Sequence, residues 1–209
     1  AGEKLASSYI TDAFTAITEL SLFAPNHPRL LALFAGACAA SGANISGAHI
    51  STTRDGFALD TFLLAREFDL DEDELRRARR IAETIANLLK GEVRLGALMA
   101  KRRERRGRFS AFTVPPEVLV DNALSNQFTV VEVSGLDRPG LLFELTNTLS
   151  DLNLDITSAH ITTFGEKAVD VFYVTDLTNK KITSPQRQKA IRERLLGVLG
   201  GDAGGPAGR

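Results

Sequence analysis

The sequence predicts an α+β fold made of two copies of one unit, each with an antiparallel sheet. An internal repeat is the first observation: residues 20–53 align with residues 131–164, so that Pro28 falls on Pro139 at an offset of 111 (139 − 28). Beyond these ranges the offset drops by one, at a predicted turn. The second observation is that both copies show strand patterns and helical spacing of apolar residues in the same order. Two diverged copies of one unit explain both observations.

Each copy begins with a strand that leads into a helix. β-Branched and apolar residues fill 16–23 and 127–133, which predicts a strand in each copy. Pro28 and Pro139 follow, where the first turn of a helix tolerates proline. The sequence therefore predicts a strand-to-helix corner at the same point of each copy.

The rest of each copy predicts a hairpin and a second helix. Gly42 and Asn153 suit the left-handed residue that ends a first helix. Tight turns at Gly56 and Gly165 then join two further strands. The predicted hairpin strands and second helices are 44–53, 57–66 and 71–89 in the first copy, and 155–163, 168–176 and 184–198 in the second.

The order βαββα is one strand short of the ferredoxin-like βαββαβ unit. The first copy can take its last strand from 109–114, whereas a Gly-rich tail, 200–209, follows the second copy and is predicted to be disordered. Residues 118–121 precede the second copy's first strand, and a hairpin partner there would fill the vacant antiparallel slot. The predicted domains are 1–100 and 117–199, with a basic linker and strand over 101–116.

Composition argues against several functional classes. The 209 residues carry a formal net charge of −1 and one cysteine, Cys38, on the predicted buried face of the first helix. A reducing, cytoplasmic location is expected. No apolar run reaches the ~18 residues that span a bilayer, and 1–6 is too short and polar for a secretory signal. Six basic residues within 101–108 predict a solvated connection, with a phosphate-binding patch as the alternative. We expect neither nucleic acid nor membrane as a partner.

The strand-to-helix corner of the second copy suggests binding chemistry. The first backbone N–H groups of a helix lack intrahelical partners and lie at the positive end of the helix dipole, so they suit a carboxylate. Gly140 has no Cβ and permits close approach, and Asp137 can accept hydrogen bonds from an ammonium group. An α-amino acid carries both groups on one carbon. The alternative is a turn and helix cap without a ligand.

Two long segments resemble ACT domains, which are small-molecule-sensing ferredoxin-like modules that pair side by side. "VDNALSNQFTVVEVSGLDRPGLLFELTNTLSDLNLDITSAHITTFGEKAVDVFYVTD" resembles the C-terminal ACT domain of the bacterial PII uridylyltransferase/uridylyl-removing enzyme family. "ISGAHISTTRDGFALDTFLL" resembles the ACT domain that precedes it. The resemblance implies two βαββαβ (ACT) units and a regulatory, glutamine-sensing region that is not itself an enzyme and has no cofactor or metal.

The same resemblance implies partners. In that family the tandem ACT region controls two upstream catalytic domains, a nucleotidyltransferase and a phosphodiesterase, which act on the PII signalling protein in nitrogen regulation. Neither catalytic motif occurs here, since His27, His49 and His160 are each followed by Pro or Ile. We expect L-glutamine and the upstream domains as partners, with a homodimer through ACT pairing as an option. The alternative is a structural pairing or oligomerisation module without a functional ligand site.

The resemblance also implies ligand-binding residues at both corners. They are Asp137, Arg138, Gly140, Leu141 and Leu142 in the second copy, and Asn26, His27, Leu30 and Leu31 in the first. Arg29 stands where the second copy has Gly140, and we expect its side chain to crowd the first corner. The predicted set also includes Asp155, Ile156 and His160, although a structural role is the alternative for His160.

Two further expectations concern single positions. Asp60 and Asp170 are equivalent in the two copies, and we expect a solvated strand face for both. We also expect Gly140 to have ordinary helical dihedrals, so that the fold would tolerate a side chain there.

Overall fold

A computed structural model of the chain describes residues 5–103 and 114–200. The predictions for the strand at 109–114, apart from its last residue, for most of the basic linker and for the Gly-rich tail therefore lie outside the described residues. The described elements are β1 (Ala6–Asp12), β2 (Ile17–Pro25), α1 (Leu30–Ala40), β3 (Ile45–Thr52), β4 (Phe57–Ala65), α2 (Asp71–Leu89), α3 (Leu95–Arg103), β5 (Glu117–Asp121), β6 (Thr129–Leu136), α4 (Leu141–Asp151), β7 (Leu154–Phe164), β8 (Lys167–Asp176) and α5 (Pro185–Leu199).

All eight strands form one antiparallel sheet in the order β1-β2-β4-β3-β7-β8-β6-β5. The first unit contributes β1 to β4 and the second contributes β5 to β8. Within each unit the order and direction of the strands are those of the ferredoxin-like sheet. The α+β prediction of two ferredoxin-like units is confirmed.

The slot of the missing strand is filled by a hairpin partner in both units. β5 pairs with β6 from Glu117↔Ser134 to Asp121↔Val130, as predicted for the second unit. In the first unit β1 pairs with β2 in the same way. The two added strands begin 111 residues apart, at Ala6 and Glu117 (117 − 6), so they belong to the repeat. The sequence-based reading missed β1, because its polar, mostly exposed residues show little apolar alternation.

The two units meet through β3 and β7, which pair antiparallel at the centre of the sheet. His49 lies directly opposite His160. These residues are also separated by the repeat offset (160 − 49 = 111), so the pseudo-two-fold axis that relates the units passes between them. The side-by-side pairing implied by the resemblance therefore occurs within one chain.

The helices cover one face of the sheet, and α1 packs against α4 across the seam. Alternate strand residues, such as Leu20 and Phe62, join the helices in a core that runs through both units. Residues of opposite alternation, such as Phe23 and Leu59, face away and remain partly exposed. Cys38 is buried in this core, as predicted, and burial raises the pKa of its thiol to about 12.

Most helix boundaries agree with the sequence. Gly42 and Asn153 have the left-handed conformation predicted after the first helices, with φ of 85° and 56°. Ser184 caps α5 by accepting a hydrogen bond from the N–H of Arg187, and Pro185 is the first helical residue. Pro28 and Pro139, however, do not lie in a first helical turn; each precedes the residue that caps its helix.

Among the helices of the described residues, none is both long enough and apolar enough to cross a bilayer.

Candidate functional site

Two clefts lie at the seam between the units, one beside each strand-to-helix corner. Cleft 1 is lined by Asp137, Gly140 and Asp170 of the second unit and by Ala39 and Asn44 of the first. It encloses about 410 Å³, including the open solvent at its mouth. The lining comes from both units, so the cleft exists only because the units are paired.

Cleft 2 is lined by Asn26, Thr52 and Asp60 of the first unit and by Asp155 and Ile156 of the second. Its volume, with the open solvent at its mouth included, is about 270 Å³. The repeat relates the two clefts. The equivalent lining positions are Asn26 with Asp137, Thr52 with Thr163, Asp60 with Asp170, and Asn44 with Asp155. Each cleft thus combines one buried aspartate with a second aspartate and an asparagine. In cleft 1 the second aspartate is at the corner and the asparagine comes from the other unit, whereas in cleft 2 the asparagine is at the corner and the aspartate comes from the other unit.

The N-terminus of α4 lies at cleft 1. The N–H of Leu141 donates a hydrogen bond to the carbonyl of Arg138 (3.0 Å), and the N–H of Glu144 donates to the carbonyl of Gly140 (3.1 Å). Leu142 and Phe143, in the first turn of α4, both line the cleft. The first N–H groups of a helix lie at the positive end of its dipole and suit an anionic ligand group.

Gly140 caps α4 in the left-handed region, with φ of 85°. This corrects the expectation of helical dihedrals. The equivalent residue Arg29 has φ of −108°, so the backbone conformation before the helix differs between the two corners. A side chain at position 140 would therefore strain the backbone as well as narrow the cleft.

We expect Gly140→Ala to lower the free energy of unfolding by roughly 1–2 kcal/mol without any ligand, because an L-residue is disfavoured in the left-handed region. Urea denaturation would measure the change. Arg29→Gly is the matched variant, because residue 29 does not have the left-handed conformation and glycine there relieves no backbone strain. The variant loses the exposed Arg29–Asp151 ion pair, which is worth at most about 1 kcal/mol. A Gly140→Ala protein with the parent's urea midpoint would contradict the expectation.

Arg138 lines cleft 1, but its guanidinium is already engaged. Nη1 and Nη2 donate to the two carboxylate oxygens of Glu144 (3.0 and 2.5 Å), and Nη2 also donates to the carbonyl of Val198 (3.0 Å). The side chain thus ties α4 to the end of α5. The role in ligand binding predicted for Arg138 stays a prediction, and the backbone amides of the corner are the other groups that suit an anion.

Asp60 and Asp170 are buried, with exposed fractions of 1% and 3%, and do not lie on a solvated strand face as expected. Burial raises the pKa of each carboxyl to about 7. At Asp170 the nearby charge of Asp137 raises the pKa further, while a backbone N–H lowers it. The signal that places both residues is strand alternation, because Asp60 shares the phase of the buried residues Phe62 and Leu64.

Asp137 lies half-buried at the mouth of the corner. Burial raises the pKa of its carboxyl, and the charge of Glu166 adds to this, whereas the backbone N–H and the charge of Arg138 lower it. Its backbone N–H donates to the carbonyl of Glu166 (2.8 Å). Asp137 lines the cleft, where its carboxylate can accept a hydrogen bond from a ligand.

Cross-unit contacts surround cleft 2. Arg29 pairs with Asp151 at the end of α4 (2.6 Å), and its side chain is 60% exposed. It does not line cleft 2, so the expected crowding of the corner by Arg29 is wrong. Across the seam the hydroxyl of Ser150 donates to the carbonyl of Pro28 (3.2 Å). Within the first unit the amide of Asn26 donates to the hydroxyl of Thr52 (3.2 Å).

The remaining predicted residues fall into separate groups. Leu141 and Leu142 line cleft 1, whereas His27, Leu31, Asp155 and Ile156 line cleft 2. Leu30 is part of the core and lines neither cleft. His160 lies on the opposite face of the sheet, where its ring meets those of His49 (5.7 Å) and Tyr173 (6.3 Å). The residues that the sequence did not reveal include Ala39, Asn44, Asp60 and Asp170, together with Thr52, Phe143 and Thr163.

Within residues 5–103 and 114–200, no group of three or more His, Cys, Asp or Glu side chains is arranged to hold a metal ion. Residues 117–199, from β5 to α5, match the family model described as an ACR9-like, ACT-like domain. The second unit is thus an ACT-like domain, a regulatory type of module.

Proposed function

We propose that this protein is a regulatory module that binds a free amino acid, L-glutamine, at the seam between its two units. The observation that supports this function is the composition of cleft 1. The backbone amides in the first turn of α4 and the carboxylates of Asp137 and Asp170 lie at the same small cleft. The amides suit the α-carboxylate of a ligand, and the carboxylates suit its ammonium group. A zwitterionic amino acid satisfies both.

Glutamine is favoured over glutamate by charge. A carboxamide side chain donates and accepts hydrogen bonds, and Asn44 offers it a matching amide in cleft 1. Glutamate would bring a second negative charge towards Asp137 and Asp170. In cleft 2 the equivalent pair is Asp60 and Asp155, so the repulsion applies within each cleft separately.

We further propose that the chain regulates the uridylyltransferase and uridylyl-removing activities of upstream domains, and through them the cytoplasmic PII protein in nitrogen regulation. The support for this parent enzyme is the resemblance of the two segments quoted above. The description of the matched family names neither glutamine nor uridylyl transfer.

A structural pairing module is the second candidate. One continuous sheet joins the units, and the Arg29–Asp151 pair reinforces the seam without a ligand. In that case neither cleft would bind an amino acid.

Titration calorimetry with L-glutamine and L-glutamate separates these functions. We expect glutamine to bind and glutamate to bind at least about tenfold more weakly, because one unfavourable charge contact of about 1.4 kcal/mol gives that factor. Asp137→Asn should weaken glutamine binding, whereas Glu193→Gln, on the exposed face of α5, should not. Equal affinity for the two amino acids would contradict glutamine selectivity, and no heat from either would favour the pairing module.

A further inference from the structure

Asp170 and Asp60 form an equivalent pair that the binding of an α-carboxylate does not explain. They are related by the repeat (170 − 60 = 110), and each lines its own cleft. Each is at most 3% exposed. In each, the Oδ1 atom has no hydrogen-bond partner within the described residues. A buried polar atom without a partner is costly to the fold, so its recurrence in both units points to a ligand.

Among the described residues that line cleft 1, none is a basic side chain paired with Asp170. The charged groups near it in cleft 1 are Asp137 and Arg138 at the corner, with Glu144 on α4 and Glu166 at the β7–β8 turn behind them. The guanidinium of Arg138 is held by Glu144. From the first unit, α1 and the start of β3 contribute only uncharged residues to the lining.

Cleft 2 has the same character around Asp60. His27 and Asp155 are the other titratable groups of its lining. The neighbouring guanidinium of Arg29 is paired with Asp151 on α4. In both clefts the inner aspartate thus lies beside a second carboxylate and away from a free cation among the described residues.

We propose that Asp170 in cleft 1 and Asp60 in cleft 2 receive the cationic group of the ligand, which enters in exchange for a proton. The inference rests on the proposed function, since it names the groups that hold the amino acid's ammonium. Below pH 7 the carboxyl of the empty cleft is mostly protonated and neutral. On binding, its O–H proton leaves to solvent, the carboxylate accepts hydrogen bonds from the ammonium group, and no covalent bond of the ligand changes.

The direction of the pH dependence follows. Burial raises the pKa of both carboxyls to about 7, and the charge of Asp137 contributes at Asp170. A bound ammonium favours the ionised form and lowers this pKa. Affinity should therefore increase as the pH rises towards 7 and level off above it. The ligand's own charge stays constant between pH 6 and 8, because the amino group of a free amino acid is protonated throughout this range and loses its proton only above it.

The inner aspartates also set the ligand class. A molecule with the carboxylate and carboxamide of glutamine but no amino group, such as glutaramic acid, would leave the buried carboxyl protonated. We expect it to bind more weakly than glutamine and to release no proton.

The experiment is calorimetry of the full chain with L-glutamine at pH 6 and pH 8, in buffers of different ionisation enthalpy. A group with a pKa near 7 is ionised in about one molecule in ten at pH 6 and in about nine in ten at pH 8, so affinity should rise roughly tenfold. Proton release per bound glutamine should be close to one at pH 6 and close to zero at pH 8.

Variants assign the effect to each cleft. Asp170→Asn should abolish the proton release and pH dependence of cleft 1, and Asp60→Asn those of cleft 2, while Glu193→Gln keeps both. Carbon-13 NMR of the parent's carboxyl groups gives a second measurement that needs no variant: glutamine should lower the pKa of Asp170. Binding that is independent of pH and releases no proton would overturn this inference and leave the proposed function standing. Absence of glutamine binding at both pH values would overturn both.

Discussion

Replacing Glu74 with alanine is expected to lower the free energy of unfolding by about 3–5 kcal/mol, the usual effect of breaking a buried ion pair. Glu74 is fully buried on α2. Its Oε1 accepts hydrogen bonds from the N–H groups of Glu67 (2.6 Å) and Phe68 (2.8 Å) and from Arg77 (2.9 Å). Its Oε2 accepts from the hydroxyl of Thr18 on β2 (2.9 Å). The carboxylate therefore joins the end of β4, the start of α2 and the sheet.

Burial alone would raise the pKa of Glu74, but the backbone N–H groups, Thr18 and Arg77 together hold it below its ordinary value. Alanine would remove the buried carboxylate beside Arg77 and leave its guanidinium with the Ala65 carbonyl (3.1 Å) and the exposed carboxylate of Glu67 (3.5 Å). That loss is large against a total stability of about 5–15 kcal/mol for a domain.

Urea denaturation of matched variants tests the role of Glu74. Glu67→Ala is the control, because its carboxylate lies 3.5 Å from Arg77 but is 58% exposed, so its loss should cost at most about 1 kcal/mol. Replacing Glu74 and Arg77 together with leucine should be less harmful than Glu74→Ala, since no buried charge is then left alone. If Glu74→Ala and Glu67→Ala have the same effect, the buried pair does not hold α2 in place.

The fold was largely predictable because each unit repeats the same local patterns. The slot filled by β5 followed from a missing strand and a short hairpin connection. β1 fills the equivalent slot, yet Ser7 and Ser8 on an exposed edge give no apolar alternation to detect. An edge strand with one partner is specified by its pairing with β2 more than by its own residues.

The site was predictable only in part. The corner at Asp137 and Gly140 follows from local sequence, because a strand end and a helix start lie within a few residues. Ala39 and Asn44 come from the other unit, so their place in cleft 1 depends on how β3 pairs with β7. The left-handed Gly140 was misjudged because a glycine before a helix fits several backbone conformations.

The inner aspartates were misjudged for a different reason. A polar residue in a strand is ordinarily assigned to the solvated face. Asp170 has apolar residues on both sides in the sequence, so its neighbours do not show by themselves which face is buried. The phase could be read from Phe172, which is fully buried and two residues away. The alternation of the strand therefore places a charged residue in the core, where the usual burial rule would not put one.

Asp170→Asn is expected to change the pH dependence of stability in the unliganded protein. The pKa of Asp170 is about 7 in the folded chain, above the ordinary value of 3.8, so the folded state binds the proton more tightly than the unfolded state does. The stability linked to this proton is fully present below pH 3.8 and is lost as the pH rises through 7.

Asparagine cannot ionise, so it removes this loss. From pH 5 to pH 8 the parent should lose roughly 2–3 kcal/mol of stability that Asp170→Asn does not lose. Most of the interval between the unfolded and folded pKa values, about three units, lies within this pH range. Asp60→Asn should shift in the same direction, since burial raises its pKa to the same value. Asp176→Asn is the control. The pKa of Asp176 is lowered, chiefly by a hydrogen bond from the Thr178 side chain, so its ionisation changes stability only below pH 5. Urea denaturation at the two pH values measures the shift, and a parent-to-variant difference that does not change with pH would show that Asp170 is ionised throughout and has a partner in the folded chain.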